Sequence, residues 1–185
     1  YFGLNEVASF WEGVVKLNDW HQKRISTLVV EKLFGSVSDK KIGVLGFSFK
    51  ANTNDTRESA AISICKDLIE EGAILHIHDP KVEENQISRD LGVDSTNSNR
   101  KNSFNNQMKN SGHWFFALNI YEIFSDADAI LILTEWEEYT NLDWERISRK
   151  MRRPAWIFDA RSILDPKKLE KTNLNLWRIG DGFNT

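Results

Sequence analysis

The sequence KIGVLGFSFKANTNDTRES at residues 41–59 constrains the fold more than any other stretch of the chain. Ile42, Val44 and Leu45 form an apolar run short enough for a buried strand. The run stops at Gly46, a polar loop carries Lys50, Asp55, Arg57 and Glu58, and helical spacing resumes after Ser59. A strand passing through a glycine and a polar loop into a helix is the opening unit of a parallel α/β sheet. Such sheets hold anionic ligands where strands end and helices begin. Lys and Arg are the side chains suited to phosphate. The segment therefore predicts a phosphorylated small molecule, with Lys50 and Arg57 among its contacts.

The alternation continues downstream. A helix from about residue 59 to 71 should end at Gly72, and a second strand over 73–78 sets Leu75 and Ile77 against His76 and His78. A short helix is predicted near 82–91. Asn119 should cap a helix running through Phe124, and DADAILIL at 126–133 reads as the most hydrophobic strand. Asp143 should cap a helix ending near Met151, AWIF after Pro154 is a strand, Asp165-Pro166 opens a last helix, and 174–179 is a last strand. The predicted class is α/β, a Rossmann-like, mostly parallel sheet with helices on both faces, preceded by one long α-helix. Residues 92–112 are Asn-rich and without periodicity, and are expected to be a mobile surface insertion. Trp114, Phe115 and Phe116 are too apolar to stay in solvent and should return to the sheet as a strand.

Ahead of this domain, apolar residues recur at three and four positions over residues 4–34. With Asn5 as N-cap and Gly35 as stop, that is a helix of roughly 45 Å. Two shorter helices broken near Asn18-Asp19 are the alternative. The expected organisation is a central or interface helix at 1–35 and a binding domain at 36–185. A single helix of that length outreaches one small domain, so it should link two domains or join subunits. Trp11, Val14 and Leu17 form an apolar stripe, which predicts a homo-oligomer through residues 5–34. Tyr1 is not a start methionine, and the first residues read as mid-helix, so the chain is expected to be a piece of a longer protein.

Composition narrows the function classes. Hydrophobic residues at 41% and charged residues at 28% describe an ordinary soluble domain. The net charge of −3, with both signs interspersed, offers no field to nucleic acid or an anionic membrane. No apolar run approaches the ~20 residues of a membrane span. The single cysteine, Cys65, excludes an internal disulfide and fits a cytoplasmic setting. It shares a helix face with Ala61, Ile64 and Leu68, as a core thiol would. His21, His76, His78 and His113 are scattered and predict no metal site, and no basic stripe accompanies the tryptophans.

The turn after the first strand is not a dinucleotide fingerprint, because Gly46 is followed by Phe47, Ser48 and Phe49 rather than by further glycines. Bare backbone is therefore not available to a pyrophosphate there. Asp79, ending the second strand, stands where a Rossmann acid would hold a ribose, but Asp-Pro after a strand is equally a turn signal. Lys50 and Arg57 could be solvated loop charges, or Arg57 could pair with Asp55 or Glu58. Arg161 follows the strand AWIFD at another carboxyl edge, where Asp159 could orient its guanidinium or hold it in a structural pair. Thr134-Glu135-Trp136 ends a third strand, either as part of a site or as a turn with Trp136 packed.

FKANTNDTRES closely resembles the F-K-x-x-T-x-D-T-R-E-S signature of the UDP-glucose 6-dehydrogenase family. The similarity runs on in order through EGAILHIHDPKV, DADAILILTEWEEYTNLDWERI and RPAWIFDARSILD. It extends from the first helix to about Leu164, with the Asn-rich insertion matching poorly. Asn52 stands where some members of that family carry Asp, and Ala60 where many carry Pro, and neither removes a proposed contact.

The resemblance implies the central helix and the C-terminal UDP-sugar-binding domain of an NAD-dependent enzyme that oxidises UDP-glucose twice, to UDP-glucuronate, with two NAD. It implies that Phe49, Lys50 and Arg161 contact the UDP-sugar and that Arg57 reaches across a cleft to NAD. NAD itself would be held mainly by an N-terminal Rossmann domain. The family's catalytic cysteine belongs to a G-G-S/A-C segment that this sequence lacks, and Cys65 does not match it. No catalytic residue is therefore expected in this chain, which alone should not turn over substrate. A dehydrogenase of UDP-N-acetylmannosamine or GDP-mannose, or a non-catalytic nucleotide-sugar-binding or assembly module, are the alternative readings.

Overall fold

A computed structural model describes residues 3–96 and 112–181. Six strands form one sheet: β1 (Lys41–Leu45), β2 (Ile74–His78), β3 (His113–Phe116), β4 (Ala129–Ile132), β5 (Trp156–Asp159) and β6 (Asn175–Arg178). Their order is β3-β2-β1-β4-β5-β6, and every neighbouring pair is parallel. This is the dinucleotide-fold order, with the strand sequence reversing direction between β1 and β4. The helices are α1 (Asn5–Lys32), α2 (Ala60–Glu70), α3 (Glu84–Leu91), α4 (Ile120–Phe124), α5 (Glu137–Thr140), α6 (Trp144–Ser148) and α7 (Pro166–Leu169).

Strand alternation sorts the core onto two faces. Ile42, Val44, Leu131 and Phe158 pack with α2, α3 and the end of α1. Leu45, Ile130, Ile132 and Ile157 pack with Ile123, Tyr139, Trp144 and Leu169 on the other side. Gly43 sits where a Cβ would lie 2.1 Å from Ile123 Cγ2, so a glycine lets α4 close onto β1. Helix starts follow local chemistry. The side chains of Ser59, Asn119, Asp143 and Asp165 accept from backbone N–H groups of α2, α4, α6 and α7 respectively.

The long helix is continuous for 28 residues, with no break near Asn18. Its N-cap position is Leu4, without a side-chain cap, so Asn5 is the first helical residue rather than the predicted cap. At the far end Gly35 takes φ 78° and donates to the Val30 carbonyl. Val29 and Leu33 enter the core beside α2. The first two thirds lie outside it, with Phe10, Trp11 and Trp20 all more than half exposed. The insertion expected at 92–112 falls largely outside the described residues. Its leading end is tied down: Gly92 closes α3 in the left-handed region, and the Trp114 indole donates to the Val93 carbonyl. Helix α5 has no counterpart in the sequence reading, being only four residues long.

Candidate functional site: the carboxyl edge at the switch point

Because all strands are parallel, the loops after β1, β2, β4 and β5 gather at one edge. The crevice between β1 and β4 is where open α/β sheets take ligands. The loop after β1 fills one side of it. Gly46 enters the loop at φ 92°, and a Cβ there would lie 2.4 Å from Thr134 Cβ, so only glycine allows the two strand ends to meet. Thr134 is buried, and its hydroxyl donates to the Ser48 carbonyl at 2.7 Å. Ser59 donates to the Phe47 carbonyl at 2.8 Å while capping α2, which closes the base of the loop. Phe49 N–H donates to the Asp55 carbonyl at 2.8 Å and pinches its middle. Gln86 of α3 donates to the Asn54 carbonyl and to Thr56. Asn52 and Glu58 hold φ of 65° and 59°, a strain that the surrounding bonds must offset.

Arg161 joins three loops. Its Nε donates to the Leu133 carbonyl at 2.7 Å, and an outer guanidinium nitrogen donates to the Phe49 carbonyl at 3.3 Å. Glu135 Oε2 lies 3.4 Å from the same Nε, while Glu135 Oε1 accepts from Ala51 N–H at 3.3 Å. The Arg161 side chain is still 33% exposed, so it presents charge to the crevice from a fixed position. Asp159 does not hold the guanidinium. Its carboxylate accepts from the backbone N–H groups of Arg161 and Leu164 and shapes the turn instead. Thr134-Glu135-Trp136 is thus both a turn and part of the site.

Phe49 is 48% exposed beside Arg161, an apolar face with no place in either core. Lys50 is exposed, and its ammonium makes no hydrogen bond or ion pair among the described residues. Arg57 stands apart, 88% exposed and paired with Asp55 at 2.6 Å. That hydrogen-bonded pair, helped by the Lys50 charge, lowers the Asp55 pKa to about 2. The structure therefore sets Phe49 against Arg161 at the crevice, with the exposed Lys50 next along the same loop and close enough to Asp55 for its charge to be felt, while Arg57 is held by Asp55.

Asp79 lies beneath the loop. It is 5% exposed, and both carboxylate oxygens are engaged. Oδ2 accepts from Phe47 N–H, Ser48 N–H and the Trp136 indole at 2.8, 3.0 and 3.2 Å. Oδ1 accepts from Lys81 and Val82 N–H at 2.9 and 3.0 Å. Nothing remains to hold a ribose, and the turn lacks the glycines a pyrophosphate requires. These residues do not fit a dinucleotide bound in the usual manner of this sheet. Nearby, Tyr139 donates to the His78 carbonyl at 3.2 Å, and burial lowers the His78 pKa.

The remaining chemistry-bearing groups are structural. Cys65 is fully buried on α2, and burial pushes its thiol pKa far up, away from the nucleophilic thiolate. His76 stacks on Phe115 at 4.8 Å. Among the described residues no group of three His, Cys, Asp or Glu side chains could hold a metal, and no helix is long and apolar enough to cross a membrane.

Residues 43–166 match the model of the UDP-glucose/GDP-mannose dehydrogenase family, UDP binding domain. A UDP-glucose 6-dehydrogenase of Drosophila melanogaster is 43% identical over 181 residues, which cover 97% of this chain and 36% of that protein. UDP-glucose 6-dehydrogenase 2 of Arabidopsis thaliana is 41% identical over 179 residues, 96% of this chain and 37% of that protein. The chain thus spans little more than a third of these relatives. The fold matches that of an NDP-N-acetyl-D-galactosaminuronic acid dehydrogenase from Methanosarcina mazei, with TM-score 0.62 and 19% identity over 86% of this chain and 28% of that one. A UDP-glucose dehydrogenase from Pyrobaculum islandicum gives TM-score 0.56 and 22% identity over 76% of this chain and 30% of that one. With the match covering most of the sheet and the whole crevice, the chain belongs to the UDP-glucose/GDP-mannose dehydrogenase family, in its UDP binding domain.

Proposed function

We propose that this chain is the UDP-sugar-binding part of an NAD-dependent UDP-glucose 6-dehydrogenase, the enzyme that oxidises UDP-glucose to UDP-glucuronate with two NAD. The observation that carries the reading is the fixed Arg161, bonded to the Leu133 and Phe49 carbonyls at the switch-point crevice, with the exposed Lys50 next to Phe49 on the same loop. Two cations there can neutralise a diphosphate, and a pre-oriented guanidinium loses little freedom on binding. Phe49 offers an apolar face to the nucleoside or sugar. Arg57, at the rim, is free to exchange Asp55 for a group across the cleft, which in this reading is NAD. The dinucleotide itself would be held by a part of the protein beyond this chain, since the turn after β1 does not fit it. No residue here is assigned to the hydride steps, and buried Cys65 is not the nucleophile. Relatives at about 40% identity across nearly the whole chain carry the UDP-glucose name, which favours that sugar over UDP-N-acetylmannosamine or GDP-mannose.

In this reading the protein is cytoplasmic, and the bare part of α1 pairs with a second copy. Titration of the chain with UDP, and comparison of the three nucleotide sugars as substrates of the complete enzyme, test the proposal. Absence of UDP binding by the chain, together with unchanged apparent UDP-glucose affinity in an Arg161→Ala enzyme, would sink the substrate role.

A further inference from the structure

Asp79 occupies the position from which an acid in this sheet order would face a ribose, yet it is turned inward. A buried carboxylate is tolerated only when its charge is well solvated by donors. Here N–H groups supply that solvation: two from the loop after β1, two from the turn after β2, and the indole of Trp136 beyond β4. One carboxylate therefore ties together three segments that are far apart in sequence and adjacent at the crevice. Its bonds to Phe47 and Ser48 immediately precede Phe49 and Lys50, the residues that the UDP-sugar reading sets against the ligand. The neighbouring restraints, Thr134 on Ser48 and Glu135 on Ala51, grip the same five-residue stretch from the β4 side.

We propose that Asp79 is the positioning residue of the ligand loop, setting where Phe49 and Lys50 stand relative to Arg161. It touches no ligand itself. The inference rests on the UDP-sugar reading for its functional consequence, and on the hydrogen bonds alone for its structural one. Asp79→Asn keeps the shape but replaces one of the two acceptor oxygens with an NH2 donor that opposes the N–H groups of Phe47 and Ser48 or of Lys81 and Val82.

The test uses the full 185-residue chain at a temperature where wild type and variant are both fully folded by near-ultraviolet circular dichroism. Two quantities are read: the UDP dissociation constant by calorimetry, and amide hydrogen exchange resolved along the chain. Asp79→Asn should weaken UDP binding roughly tenfold to a hundredfold and speed exchange at residues 47–51, leaving β1, β2 and β4 protected. Lys50→Ala is the contrast, weakening binding without changing exchange. If Asp79 only added stability, its replacement would lower the melting temperature and move neither quantity in the folded state, and that result overturns the proposal. If Asp79→Asn does not fold, Asp79→Glu takes its place, keeping the charge and displacing the carboxylate by one methylene. Unchanged affinity and exchange in that variant also overturn it. If the wild-type chain does not bind UDP, the substrate reading falls and the exchange measurement alone decides: faster exchange confined to 47–51 supports the brace, and unchanged exchange ends it.

Discussion

The loop after β1 and the first two thirds of α1 make opposite use of exposed side chains. The loop has irregular backbone and two strained residues, yet nearly every turn of it is tied by a hydrogen bond to Asp79, Thr134, Ser59 or Gln86. The helix has ideal backbone, yet Phe10, Trp11, Val14 and Leu17 touch no core. Regular backbone hydrogen bonds satisfy the helix internally and do not oblige its exposed apolar side chains to meet another element. Irregular backbone must find donors and acceptors elsewhere, and in finding them it is held still. A braced loop suits a small ligand that needs fixed contacts, whereas a bare apolar helix suits a large surface that supplies its own.

The comparison can be broken most severely at Gly46. Gly46→Ala puts a Cβ against Thr134 at a positive φ, and should cost about 3 kcal/mol in denaturant unfolding. A neutral result would show that the loop is not held as described. Next, Arg161→Ala should weaken UDP binding at least tenfold, since it removes a charge-assisted contact worth about 1.5–3 kcal/mol, with the fold retained. On the helix, Trp11→Asp should abolish self-association in sedimentation while shifting unfolding of the remaining domain by no more than about 0.5 kcal/mol. A wild-type chain that stays monomeric at high concentration removes the pairing from the reading.

Two smaller effects sharpen the picture. Burial, then the charges of Lys41 and His113, hold the His76 pKa down to about 4 from 6.5. The unfolded chain therefore binds more protons between these values, so stability present above pH 6.5 is lost as pH falls toward 4. His76→Phe should flatten that part of the stability profile, and an unaltered slope would assign it to other groups. Finally, Arg57→Ala should leave UDP binding unchanged and lower stability slightly at neutral pH, the difference fading as the carboxylates protonate, while nuclear magnetic resonance titration finds the Asp55 pKa returned from about 2 toward 3.8. A loss of UDP affinity there would move Arg57 from the rim into the substrate site.

Much of this was readable in the chain. Period-two and period-3.6 spacing gave the strands and helices their order, and Ser59, Asn119, Asp143 and Asp165 marked helix starts because capping is settled within three residues. The basic residues at strand ends were visible for the same reason. The partners of those residues were not. Asp159 stands two residues from Arg161 and looked like its mate, but the guanidinium turns to Leu133, Phe49 and Glu135 on other strands. Asp79 read equally well as a ribose acid or a turn residue, because its choice depends on Phe47, Ser48 and Trp136 arriving from elsewhere.

By itself, then, the sequence determined the elements other than the short α5, their alternation, the two-faced sheet and which side chains could serve an anion. The tertiary structure alone decided which of them face one crevice, which are spent on the loop, and which stand unpartnered on α1. Periodicity and caps act over a few residues, whereas hydrogen-bond partners at a strand edge are chosen by the register of four parallel strands.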